Sequence, residues 1–323
     1  GDPLVALWAR VYLTRVGCNI LSDDVSFIKS ALYDYLFTWS QFEETNEYMI
    51  KLLKEKGLTY NEYLKLHEPA LSWLCRAVGV HATKEDFTKV LEHYRDYCGN
   101  TLVLKHIILH FNASFWSSST AGMVQLIKDA KPSNVHSAEL YEALGKGMSK
   151  YPPPANQRMT VLNESWKIVT KFTDLEAYAS CAATWIDMLL QHYQDKHVLI
   201  LLKDLVRHVR SKGDDAAKTI VTPLERVVAS VTKYSSNFGE ILTSQYFLQL
   251  LDLFQSERKT DMCKELLNNF ISSKETTSDP VVIATVFDIA RSLHDSLDSL
   301  SVDDERRQIS NLLCDHKLIE ELK

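Results

Sequence analysis

Glycine and proline are scarce in this chain, at 10 and 8 of 323 residues. Strands and tight turns consume both, so their scarcity favours helices joined by short loops. Paired cysteines are missing too. The six are Cys18, Cys75, Cys98, Cys181, Cys263 and Cys314, and no two lie close in sequence. Without a CxxC pair, neither a zinc knuckle nor a redox dithiol is indicated. Their apolar helical neighbours predict reduced, buried thiols in a cytosolic protein. Long apolar runs are absent: Val198-Leu199-Ile200-Leu201-Leu202 is far too short to span a bilayer. The N-terminus has no basic region leading into an apolar stretch, so no signal peptide is read. A basic excess is lacking as well. The net charge of −6 argues against a general nucleic-acid binder, which needs surplus Lys and Arg to neutralise phosphates.

What is present is apolar residue in helical register, 46% of the chain being hydrophobic. Phe87, Val90, Leu91, Tyr94 and Cys98 line one helical face. So do Val25, Ile28, Leu32 and Leu36, and again Met159, Leu162, Trp166 and Val169. Start signals divide the pattern. Thr59 with Glu62, Thr173 with Glu176 and Asn237 with Glu240 read as capping boxes. Ser22, Ser137 and Ser301 read as simpler N-caps, and Asp279 caps a helix with Pro280 in its first turn. Gly17, Gly57, Gly79, Gly99 and Gly213 suit the left-handed position past a helix end. Pro69 and Pro223 are expected to break or kink their helices, and Pro152-Pro153-Pro154 to form an extended joint. The signals recur about every 20 residues, a helix pair per roughly 40, which fits HEAT-type repeats. The expectation is an all-α helical-repeat solenoid of about eight antiparallel helix pairs.

Residues patterned for catalysis or metal binding are few. His106 and His110 are four apart on an apolar helix, but Ile107 stands where a zinc protease needs its glutamate, so core or groove histidines are expected. Gly145-Lys146-Gly147 lacks the glycine spacing of a phosphate loop. Asp23-Asp24 and Asp303-Asp304-Glu305 sit in first helical turns, where the helix dipole favours them without any metal. His294-Asp295 opens the one catalytic alternative, an all-α HD-type metal phosphohydrolase. Its further ligands are not evident, since the nearest upstream histidine is His208, several elements away. No catalytic residue, cofactor or metal site is expected. The best surface candidate is a stripe of Lys203, Arg207 and Arg210 on one helical face, with His208 nearby. It lies opposite Leu201, Leu205 and Val209, and is either a solvated face or a dock for an acidic partner.

Several blocks resemble a known family. Asp2-Pro3-Leu4-Val5 running into Arg10-Val11-Tyr12-Leu13 resembles an early helix of retromer's long solenoid subunit and of its relative in retriever. Asp23-Asp24-Val25-Ser26-Phe27-Ile28-Lys29-Ser30-Ala31-Leu32 resembles the retriever version. So do Leu162-Asn163-Glu164-Ser165-Trp166-Lys167 with Thr170-Lys171, and His294-Asp295-Ser296 with Leu300 and Asp304-Glu305-Arg306-Arg307. The chain is thus similar to the vacuolar protein sorting-associated protein 35-like family, from its first residues to about Leu313. The resemblance implies a non-catalytic HEAT-like scaffold, peripheral on endosomes, and places His294-Asp295 on a structural helix. It implies assembly into retriever with an arrestin-like and a metallophosphoesterase-fold subunit, and into Commander with coiled-coil and COMM-domain proteins. A sorting-nexin adaptor would be met indirectly, cargo would be recycled to the cell surface, and no direct membrane insertion is implied. Family members are much longer, and the part that cradles the phosphoesterase-fold subunit lies outside this sequence. Residues 1–315 are expected to form one continuous solenoid segment, and 316–323 a tail without a family block.

Overall fold

A computed structural model describes residues 2–21, 25–213, 215–235, 238–273 and 278–296. It divides into two compact units, Gly1–Lys171 and Phe172–Lys323. Among the described residues the regular structure is helical, and the only β feature is an isolated bridge between Asn100 and Lys131. The all-α reading therefore holds.

The first unit contains α1 (Pro3–Ile20), α2 (Ser26–Phe37), α3 (Glu47–Lys56), α4 (Tyr60–His81), α5 (Lys84–His93), α6 (Thr101–His110), α7 (Thr120–Asp129), α8 (Ser137–Lys150) and α9 (Ala155–Val169). Helix packs on helix in the skipping order of stacked pairs: α4 touches α1, α2 and α6, α6 touches α8, and α7 touches α9. The cluster of Met49, Leu52, Leu53 and Tyr63 joins α3 to α4, and Leu4 of α1 packs against it. Asp2 fastens this end. Its carboxylate accepts from the Leu4 amide at 2.9 Å and the Tyr63 hydroxyl at 3.0 Å, and pairs with Lys56 at 2.6 Å. The other side of α1 is apolar yet exposed, at Val5, Trp8, Tyr12, Leu13 and Ile20.

The second unit contains α10 (Leu175–His192), α11 (Asp195–Arg210), α12 (Ala216–Thr219), α13 (Val221–Tyr234), α14 (Phe238–Leu242), α15 (Gln245–Leu251), α16 (Ser256–Ser273) and α17 (Pro280–Ser296). Helix α10 is the centre of it, buried at all but Ser180 and Asp187 between Tyr178 and Leu190 and packed on α11 and α13. Its polar groups are met across the seam: Arg226 of α13 bonds the Thr184 hydroxyl, and Ser230 donates to Asp187 at 3.1 Å. Helix α11 packs in turn on α15, and α13 on α16.

Several start signals hold and several do not. Thr59 with Glu62 forms its capping box, Asp279 caps α17 with Pro280 behind it, and Gly57, Gly99 and Gly213 have positive φ past helix ends. A second box, Thr83 with Asp86, opens α5. At α10 the cap is Asp174, which accepts from the Glu176 and Ala177 amides, and not Thr173. At α8 the cap is His136, whose ring nitrogen accepts from the Ala138 amide, and Ser137 is the first helical residue. Gly17 and Gly79 lie inside helices instead of ending them. Gly79 is there for closeness: a Cβ on it would sit 2.1 Å from the His110 carbonyl oxygen. Helix α4 runs on through Pro69, and Pro223 falls in the first turn of α13, where its missing N–H costs little. Ser22, Asn237 and Ser301, and the expected tail 316–323, lie outside the described residues.

Among the described residues no cysteine is in a disulfide, and Cys75, Cys98, Cys181 and Cys263 are buried, while Cys314 is outside the described residues. Burial pushes the Cys75 thiol well up, so it behaves as a small apolar group. No described helix is long and apolar enough to cross a membrane.

Candidate docking surface

Helix α11 is divided along its length. Val198, Leu201, Leu202, Leu205, Val206 and Val209 are buried. Each such side chain contributes about 1.5–3 kcal/mol by leaving water. The opposite face shows Lys196, Ile200, Lys203, Arg207 and Arg210 to solvent, at the alternating spacing of four and three that keeps side chains in one stripe. The three predicted cations do share a face, and the structure adds Lys196 and the exposed Ile200 to it.

The stripe is only lightly engaged by its own protein. Arg207 reaches Asp204 on the previous turn at 3.2 Å, with the arginine side chain 75% exposed. Such an exposed pair is worth little and leaves most of the guanidinium's donors facing water. The Lys203 ammonium stands 5.6 Å from the Tyr246 ring centroid on α15, a cation–π contact that orients it without neutralising it. Lys212, just past the helix, donates to the Thr173 carbonyl at 3.0 Å. His208 turns inward and stacks on Tyr178 with ring centroids 3.9 Å apart. Burial lowers its pKa, and Lys212 and Arg207 lower it further, so it adds no charge to the stripe at neutral pH.

Histidines and charges in the first unit are arranged differently. Lys105 is half-buried between Glu68 and Glu139, at 2.8 Å from each. His106 is 3.5 Å from Glu68 and lies parallel to His110, centroids 5.7 Å apart. His110 is hydrogen-bonded to Ser72 at 2.9 Å. Burial, helped by Lys105, lowers His106 to about 4, so it is neutral at pH 7. His67 is also lowered to about 4 by burial, and its ring bonds the Tyr35 hydroxyl at 3.1 Å. These are core and groove histidines knitting α4 to its neighbours. No group of three or more His, Cys, Asp and Glu that could hold a metal ion occurs among the described residues. His294 and Asp295 lie in the last turns of α17, and their side chains fall outside the described residues.

Comparison with known proteins bears on the family of the chain. The family description "VPS35L C-terminal domain" matches residues 82–321 and "VPS35L" matches residues 1–66. The first match runs to residue 321, into the stretch 316–323 that was expected to form a tail. A Dictyostelium discoideum relative named "VPS35 endosomal protein sorting factor-like" is 34% identical over 320 residues, which is 98% of this chain and 32% of the relative. Mouse and human relatives named "VPS35 endosomal protein-sorting factor-like" are 29% and 28% identical over 315 residues, covering 97% of this chain and 32% of each. The chain therefore spans about a third of the length of the curated relatives it matches. With one family description on most of its length and a second on its first helices, the chain belongs to the VPS35L family.

Proposed function

We propose that this chain is a non-catalytic scaffold segment of an endosomal sorting assembly of the retriever and Commander type. It holds partner subunits for transport from endosome to plasma membrane, and sits peripherally on the endosome through them. Family membership supports the sorting role, because the relatives are named endosomal protein-sorting factors. The observation that carries the docking role is the face of α11. Lys203, Arg207 and Arg210 are all exposed, and the fold engages them only through the exposed Arg207–Asp204 pair and the Lys203–Tyr246 contact. An acidic surface on a partner would pair with them.

The partners proposed are the arrestin-like and metallophosphoesterase-fold subunits, the latter mainly through parts outside this sequence, and the coiled-coil and COMM-domain proteins. A sorting-nexin adaptor would be reached indirectly. Residues 1–315 enter the proposal as one continuous solenoid segment. The test is co-precipitation of these subunits with the parent chain and with Arg207→Glu. A charge reversal adds repulsion to a lost pair, so binding should weaken by about 1–3 kcal/mol. Recovery of none of the subunits by the parent would refute the scaffold reading. Unchanged recovery by Arg207→Glu would move the interface off α11.

A further inference from the structure

A groove of about 440 Å³ opens where α4, α6 and α8 end. It exists because two glycines let the layers approach: Gly79 lies against the His110 carbonyl, and a Cβ on Gly147 would come within 2.4 Å of the Trp116 ring. Helix α6 lies between α4 and α8, touching both. The groove therefore has two unlike ends. On the α4 side and in the middle, Val80 and Leu109 line it while remaining 74% and 42% exposed. On the α8 side it is lined by Lys146, Lys150 and Tyr151. Lys146 is paired with Glu142 at 2.6 Å on the previous turn, and no carboxylate lines the groove itself.

We infer that this groove receives a short extended peptide segment that carries an apolar anchor at one end and acidic side chains at the other. The anchor would cover Val80 and Leu109, and the acids would meet Lys146 and Lys150. The trough is open, so a small ligand would stay mostly in water, whereas pockets for small molecules bury most of their occupant. A chain that spans it can use both ends. Neighbouring helix axes lie about 8–10 Å apart, which places α4 and α8 about 16–20 Å apart. Extended chain covers roughly 3.3 Å per residue, so anchor and acids should be separated by about five or six residues. The site lies on the first unit, and its success or failure is independent of the α11 reading.

Fluorescence polarisation with labelled peptides tests it. The probes carry one phenylalanine and, about five residues away, two glutamates, in both chain directions. One of the two should bind the parent chain with Kd on the order of micromolar. Lys146→Gln with Lys150→Gln should weaken it at least tenfold, and Val80→Ser should weaken it severalfold, with melting curves unchanged. Arg207→Glu with Arg210→Glu should leave it unaltered. The inference fails if neither probe binds, or if the double glutamine variant binds as the parent does. It also fails if replacing the probe's phenylalanine with alanine changes nothing, since the site would then attract charge alone. Flotation with phosphatidylserine vesicles that depends on the two lysines and outcompetes the peptide would assign the groove to a lipid surface instead.

Discussion

Lys105 and Lys203 are the same residue on two helices of similar design, and they are put to opposite uses. Lys105 on α6 is half-buried and held by two carboxylates from α4 and α8 at 2.8 Å each. Burial opposes its charge, but Glu139 and Glu68 outweigh it, and the ammonium is held above its ordinary pKa. Lys203 on α11 is exposed and meets only the face of Tyr246. A cation locked inside a seam is spent on register and on keeping its carboxylates satisfied. A cation left on a solvated face costs the fold nothing and remains available to a partner. The contrast separates residues whose loss should unfold the protein from residues whose loss should only unbind it.

The largest expected effect is on the buried side of α11. Leu205 is fully buried, so Leu205→Asp places a carboxylate without a partner in the second unit's core. We expect a loss of roughly 4 kcal/mol or more and no cooperative unfolding transition for that unit. A normal melting curve would show that α11 is not seated as described.

Acid should act next, and on the first unit. His67 and His106 have pKa values of about 4 in the fold against 6.5 in the unfolded chain. The unfolded state therefore takes up protons first. The stability these neutral rings provide is full above about pH 6.5 and falls as pH drops towards 4. Each contributes up to about 3 kcal/mol. Urea unfolding between pH 7 and 4.5 should show the decline, and His67→Phe should make it roughly half as steep, since His106 remains. A stability that is level across that range would contradict the buried, neutral assignment.

Lys105→Met is the direct probe of the comparison. It leaves Glu68 and Glu139 facing one another across the seam, and should cost about 2 kcal/mol, discounted for their partial exposure. Lys203→Met should change stability by less than about 0.5 kcal/mol. Equal melting temperatures for the two variants would erase the distinction between paired and available cations.

Much of the architecture was legible because caps are local. Thr59 with Glu62, and Asp279 before Pro280, need only neighbouring residues to act, so helix starts near 59 and 279 can be read directly. Some caps slip by one residue, Asp174 for Thr173 and His136 for Ser137, and other differences come from long-range packing. Gly79 looks like a helix end, but α4 runs on to His81, and the His110 carbonyl beside it explains a glycine in the last turn. The split between α14 and α15 is local, since the Ser244 side chain accepts from the Tyr246 amide as an N-cap, and that cap is legible in the sequence though absent from the predicted starts. At the candidate site, spacing alone placed Lys203, Arg207 and Arg210 on one face. The exposed Ile200 belongs to the same stripe and was recoverable from the same spacing. The Lys203–Tyr246 contact was not, because it joins α11 to α15 across 43 positions of chain, and the groove at the ends of α4, α6 and α8 is a property of three helices together.

The central claim is that the exposed cations of α11 bind and do not fold. One paired measurement on Arg207→Glu with Arg210→Glu tests it: melting temperature alongside co-precipitation of retriever and Commander subunits. The account predicts a melting curve that overlays the parent's and a loss of at least one subunit by about tenfold or more, as expected for 1–3 kcal/mol per reversal. Full recovery of every subunit at unchanged stability would contradict it.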